Sequence, residues 1–158
     1  MTLNEQAKTA LANHANQTGP LRLDLADGSD RLAAELLSVD RLGCEFTHLT
    51  LHTPSLAGAS AERLQALAKS LAGRLTYLLE PISPIETDAE GCTVQMRSNP
   101  PQRGDDGTSY YELLVRRGGE LDLRRWRKAP GGTRTPLAAT VTREVFVRLV
   151  GDLASAGD

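Results

Sequence analysis

The sequence predicts an α+β domain, with an antiparallel sheet of about six or seven strands packed against a long central helix and with N- and C-terminal helices. Three observations carry this expectation. Leucines between Leu64 and Leu79 recur at steps of three and four residues, the period of an amphipathic helix. On either side of that run, apolar and polar residues alternate in short stretches bounded by Gly, Pro and Asp, the pattern of half-buried strands. At 158 residues, with no internal repeat and no interior linker composition, residues 1–158 read as a single domain able to bury its own core.

The elements follow in chain order. Leu3, Ala7, Ala10, Leu11 and His14 form a weak helical stripe, so a short helix is expected over 3–16, ending before Gly19-Pro20. Leu21, Leu23 and Leu25 alternate with Arg22 and Asp24, which is strand spacing, and Asp27-Gly28-Ser29-Asp30 reads as a turn. Residues 31–42 are rich in helix formers and leave helix and strand both open, but strands at about 32–40 and 44–52, broken near Gly43, fit the alternation best. In that reading Phe46, His48, Thr50 and His52 share one face, with Leu49 and Leu51 on the other.

The central helix is expected from Ser60 to Glu80: Ser60 can cap its N-terminus, Glu62 suits the positive end of the dipole, and Pro81 stops it. Short strands are expected at about 84–88 and 92–97, then a polar loop, SNPPQRGDDGTS. A hairpin runs from Ser109 to Lys128. Its register is chosen by the apolar residues, because a three-residue turn, Gly118-Gly119-Glu120, keeps Tyr111, Leu113, Val115, Leu121 and Leu123 on one core face. It pairs Val115 with Leu123 and sets Arg116 opposite Asp122. After the Gly/Pro segment APGGTRTP, Val145, Phe146, Leu149, Val150 and Leu153 make a helical stripe behind Thr140 or Thr142, with a strand as the competing reading over 141–150.

Composition narrows the functional classes. A 40% hydrophobic and 24% charged chain belongs to the soluble globular class, and no apolar run is long enough to cross a bilayer, so no membrane role and a cytoplasmic location are expected. Arginine (15) far exceeds lysine (3), a bias that fits a GC-rich coding sequence. Charge is uneven: residues 1–90 hold twelve acidic and seven basic side chains, net −5, and residues 91–158 hold eight acidic and eleven basic, net +3. A pI near 5.9 argues against a dedicated duplex-DNA binder.

Catalytic and metal chemistry have few candidates. Cys44 and Cys92 fit no CxxC pattern and read as buried free thiols. His48 and His52 would chelate a metal from a helix, but on a strand four residues span about 13 Å, too far for one ion. Asp105 and Asp106 lie in a Gly-flanked turn and lack a third acid. No GxSxG, P-loop, GxGxxG or HExxH pattern is present, so no catalytic residue, metal ligand or cofactor is assigned.

The informative stretch is the hairpin. Arg116, Arg117, Arg124, Arg125, Arg127, Lys128 and Arg134 crowd about Trp126. The register sends Tyr110, Glu112, Leu114, Arg116, Asp122, Arg124, Trp126 and Lys128 to the outer face, and carries Arg125 and Arg127 along the core side near the open end. Guanidinium forks beside aromatics suit carboxylate, phosphate or stacked-base recognition. Arg97, Asn99, Tyr110, Arg124, Arg125, Trp126, Arg127 and Lys128 are therefore the candidate partner-binding residues, against a plainer reading in which Arg116 pairs with Asp122 and Arg124 with Glu112 across an ordinary solvated sheet.

The order and size of the elements resemble the secretion-chaperone fold, a class of small acidic homodimeric bacterial proteins that cradle effector polypeptides for type III export. The resemblance covers most of the chain and rests on element order rather than on a motif; the basic hairpin and an extra strand depart from it. It implies a homodimer and a partner polypeptide. The expected function is thus a non-enzymatic, chaperone-like interaction module binding an acidic or amphipathic polypeptide through a sheet face. A nucleic-acid or phosphate-ligand binding protein and a small enzyme acting on an anionic small molecule are the alternatives.

Overall fold

The computed structural model describes residues 1–88, 90–91 and 93–158. Three helices, α1 (Leu3–Asn13), α2 (Ala61–Arg74) and α3 (Arg143–Ala154), accompany ten strands among the described residues. The strands are β1 (Thr18–Asp27), β2 (Asp30–Val39), β3 (Gly43–His52), β4 (Ile82–Asp88), β5 (Thr93–Ser98), β6 (Gln102–Gly104), β7 (Gly107–Arg116), β8 (Glu120–Lys128), β9 (Arg134–Pro136) and β10 (Ala139–Thr142).

All pair antiparallel in one sheet of order β1-β2-β3-β8-β7-β5-β4, with β6 beside β7 and β9 and β10 off the main path. The last two fill a wedge. β8 pairs with the second half of β3 through 48–52, and where these strands part, β9 takes the free edge of β8 at 126–128 while β10 takes the free edge of β3 at 43–46. The strand count therefore exceeds the expected six or seven because three of the strands have only three or four residues, too few to show a period.

The α+β class and the antiparallel sheet stand, but the helix is not long and central. Ser60 accepts from the Arg63 N–H as its cap, Glu62 occupies the first turn, and the helix then ends at Arg74 rather than Glu80. Gly73 lowers helical propensity in the last turn by about 1 kcal/mol relative to Ala. Beyond it tertiary contacts win: the Tyr77 hydroxyl donates to Asp152 of α3 at 2.6 Å, and the Arg148 guanidinium lies over its ring at 4.4 Å. Leu75 and Leu78 are buried all the same, so the leucine stripe reports burial past the point where it reports helix.

The open segments resolve as strand over 30–39, strand over 139–142 and helix from 143, where Thr142 caps by accepting from the Val145 N–H. Thr2 and Glu5 form a reciprocal capping box on α1. The apolar stripes of the three helices share one cluster with Leu32, Leu36, Phe46, Leu49, Leu121, Leu123, Leu113, Val94 and Met96, so the helices cover one face of the sheet. Phe46 meets Phe146 edge-on with centroids 5.8 Å apart.

Two registers differ from expectation. Phe46 faces the core while His48 faces out, because Thr47 bulges: Leu36 opposes Phe46 and Glu35 opposes His48. Without that extra residue, Phe46 could not be buried on the same face as Leu49 and Leu51. In the β7–β8 hairpin Val115 opposes Leu121 and Leu113 opposes Leu123, so the three-residue turn is Arg117-Gly118-Gly119, one residue earlier than expected. The parity, and so the division into faces, is unchanged. The turn sits there because Gly119, at φ +91°, accepts from the Thr53 N–H at 2.8 Å, and a Cβ on it would lie 2.3 Å from the Thr53 carbonyl oxygen.

Candidate functional site

The outer face of the sheet carries a cross-strand row of six residues. Arg22, Glu35, His48, Arg124, Glu112 and Arg97 oppose one another in turn across β1, β2, β3, β8, β7 and β5. Basic and acidic groups largely alternate along it, which is the cross-strand rule for like and unlike charges extended over a whole sheet. Much of the basic cluster is spoken for here. Arg22 bridges Asp24 and Glu35, Arg116 reaches Glu120 at 3.3 Å and Asp122 at 3.6 Å, and Arg124 meets Asp122 at 3.3 Å.

Asp122 is the hub of the central part. It is 7% exposed and receives His48 Nε2 at 2.6 Å. Burial pushes its carboxyl up, but the bond and charge of His48, together with Arg124, outweigh burial and leave it below the ordinary carboxylate value. Thr50 Oγ1 lies 2.8 Å from the same His48 Nε2. One ring nitrogen therefore meets both carboxylate and hydroxyl, whereas a nucleophile-activating relay needs the two nitrogens of the ring in different bonds. The trio is built to hold β3 against β8.

At one end of the sheet the charges no longer cancel. An open groove of about 920 Å³ lies over β5, β7 and the β8–β9 turn, and Arg97, Lys128 and Arg134 line it against a single carboxylate, Glu112. Glu112 is 5% exposed and is satisfied by Arg134 Nη1 at 2.8 Å and Gln95 Nε2 at 2.9 Å. Burial alone would lower the Arg134 guanidinium, but the bonds and charges of Glu112 and Tyr110 hold it above its ordinary value. Arg134 lies over the Trp126 ring at 4.0 Å and Arg97 over the Tyr110 ring at 4.6 Å. Each contact stabilises by about 0.5–2 kcal/mol depending on desolvation and fixes a long side chain in place. Arg97 Nε and Trp126 Nε1 are buried with no hydrogen-bond partner among the described residues.

The candidate residues thus separate. Arg97, Asn99, Tyr110 and Lys128 come together in the groove, and Trp126 lies beneath Arg134 at its edge. Arg124 sits on the same face but in the paired row. Arg125 is elsewhere, on the core side at 8% exposure, where Nη2 meets Glu80 Oε2 at 2.7 Å and the guanidinium lies over Tyr111 at 4.4 Å. Arg127 points to the same side as Arg125 and pairs with the exposed Asp106. Arg134, Gln95 and Thr108 belong to the groove but stood outside the candidate set. The hint for Arg134 was its place in the basic cluster; its strand is three residues long and shows no period.

Cys44 is 3% exposed, and burial pushes its thiol up to about 12, which leaves it inert at neutral pH. Cys92 lies outside the described residues. Among the described residues no group of three His, Cys, Asp or Glu side chains could hold a metal ion, and no helix is long and apolar enough to cross a membrane. No protein-family model, curated protein or solved structure matches the chain.

Proposed function

We propose that the chain is a chaperone-like interaction module that holds an acidic or amphipathic partner polypeptide in the outer groove, with Arg97, Lys128 and Arg134 binding carboxylates and Tyr110 and Trp126 supporting the guanidiniums. The observation that carries this reading is the charge balance of a groove of about 920 Å³: Arg134 already pairs with its one carboxylate, Glu112, which leaves Arg97 and Lys128 outside any ion pair among the described residues. Guanidiniums fixed in place over aromatic rings are the kind of group that suits carboxylate recognition.

The same stacking argues against nucleic acid. Single-stranded binders offer open aromatic faces on which bases stack. Here guanidiniums already lie over Tyr110 and Trp126. The homodimer remains part of the proposal, and solution mass at high concentration tests it; a clean monomer counts against it.

The binding test uses a fluorescein-labelled peptide of alternating Glu and Leu, read by anisotropy. Arg97→Ala with Lys128→Ala, both outside any ion pair among the described residues, should weaken binding by about tenfold or more, each tenfold being about 1.4 kcal/mol. Equal affinity for wild type and the double variant would refute the assignment.

A further inference from the structure

A second cavity lies on the helix-covered side of the sheet, where α2 stops short. It measures about 560 Å³ and is bordered by the segment after α2, by Pro100-Pro101, by β10 and by the start of α3. Leu78, Pro81, Pro101, Val141 and Val145 make its walls apolar, and the Arg125–Glu80 ion pair lines it beside Tyr111. An apolar cleft with a few convergent polar groups is the usual form of a small-ligand site.

The ion pair is only half used. Arg125 Nη2 takes all three acceptors, Glu80 Oε2 at 2.7 Å, Gln102 Oε1 at 3.1 Å and Ser109 Oγ at 3.1 Å. Arg125 Nη1 and Glu80 Oε1 are buried and have no partner among the described residues. The two side chains are 9% and 8% exposed, so each unmet group is costly to keep. A second anomaly adjoins them. Leu79 is 96% exposed and has φ +66°, the left-handed region that a leucine rarely adopts, and it lines this same cavity. Strain that holds an apolar side chain in water beside unmet polar atoms is expected where something else completes the contact.

We infer that this cavity binds a small, neutral, largely apolar molecule carrying an amide edge, and that the Glu80 and Arg125 side chains turn to uncover their buried, unmet atoms, so that the ligand N–H donates to Glu80 Oε1 and its C=O accepts from Arg125 Nη1, with its apolar body against Leu78, Leu79 and Val141. The ligand is neutral because an anion would face Glu80 and a cation would face Arg125. An amide offers one donor and one acceptor side by side. This site is on the opposite face from the groove over Tyr110, and neither depends on the other.

The test is a titration of ¹⁵N-labelled protein, followed by backbone amide shifts, with hexanamide and caprolactam as open-chain and ring amides and with hexanoate and hexylamine as charged controls. Both amides should give saturable shifts clustered at Tyr77, Leu79, Gln102 and Thr140, and the charged controls should bind about tenfold more weakly. If only one amide binds, the edge is that of an open amide or of a lactam accordingly. In Glu80→Gln the carboxylate is gone and Arg125 remains, so hexanoate should bind about tenfold better than to wild type. Leu79→Gly, which relieves the strained φ and so keeps the fold, should weaken hexanamide several-fold. The inference is overturned if hexanoate or hexylamine matches hexanamide on the wild type, if neither amide gives a saturable shift by about 50 mM, or if Leu79→Gly leaves the affinity unchanged.

Discussion

Replacing Arg125 by Met should destabilise the fold far more than removing any other arginine of the hairpin. The pair with Glu80 spans 2.7 Å with both side chains at least nine-tenths buried. Arg125→Met strands a carboxylate in the interior, and Glu80→Leu strands a guanidinium that keeps only Gln102 and Ser109. Each single change should cost about 3–5 kcal/mol, the range for breaking a buried pair from one side. A domain of this size is stable by about 5–15 kcal/mol in all, so either loss is a large fraction. The double variant should behave otherwise. With both charges gone the desolvation cost disappears, and Arg125→Met with Glu80→Leu should lie within about 1 kcal/mol of wild type or above it. Equilibrium urea unfolding of the four proteins, followed by far-UV circular dichroism, gives the cycle. Singles that cost less than about 1 kcal/mol, or a double that loses the sum of the singles, would refute the reasoning.

Two further outcomes concern the sheet. The folded carboxyl of Asp122 titrates below its ordinary value of 3.8, so its contribution to stability is present above that value and is lost as the pH falls through the lower folded value. Asp122→Asn should therefore cost about 1.5–3 kcal/mol at neutral pH, the range for hydrogen bonds to a charged group, and should flatten the acid limb of stability when urea midpoints are compared from neutral pH down past 3.8. Gly119→Ala should cost about 2 kcal/mol or more, since φ is +91° and the new Cβ would meet the Thr53 carbonyl oxygen at 2.3 Å; a thermal melt unchanged from wild type would contradict that.

The division of the hairpin into faces was legible because one apolar set, Tyr111 to Leu123, had to share a side, and parity survives a turn that moves by one residue. What alternation cannot show is an inserted residue. Thr47 reverses the face of everything before it on β3, and the pattern of side chains on either side of a bulge looks like ordinary alternation with one mismatch. The helix boundary was hidden for a related reason: Leu75 and Leu78 are buried, and burial rather than helicity is what leucine spacing records. Of the residues that line the outer groove, Arg97, Asn99, Tyr110 and Lys128 were named from composition and order. Arg125 was not separable from its neighbours, because its burial depends on Glu80, 45 residues away, and its companions Gln102 and Ser109 come from β6 and from β7. No local pattern records a pairing made by tertiary structure.

Trp126 is the single tryptophan of the chain and lies under Arg134 at the rim of the outer groove, so its fluorescence reports on that place alone. The most direct measurement is a titration of the Glu/Leu peptide and, separately, of single-stranded oligothymidylate, followed by Trp126 emission at low and at physiological salt. The account predicts a saturable change with the peptide that persists at physiological salt, and a much weaker response to the oligonucleotide that vanishes there. Tighter binding of the oligonucleotide than of the peptide, or no change with the peptide at either salt, would contradict it.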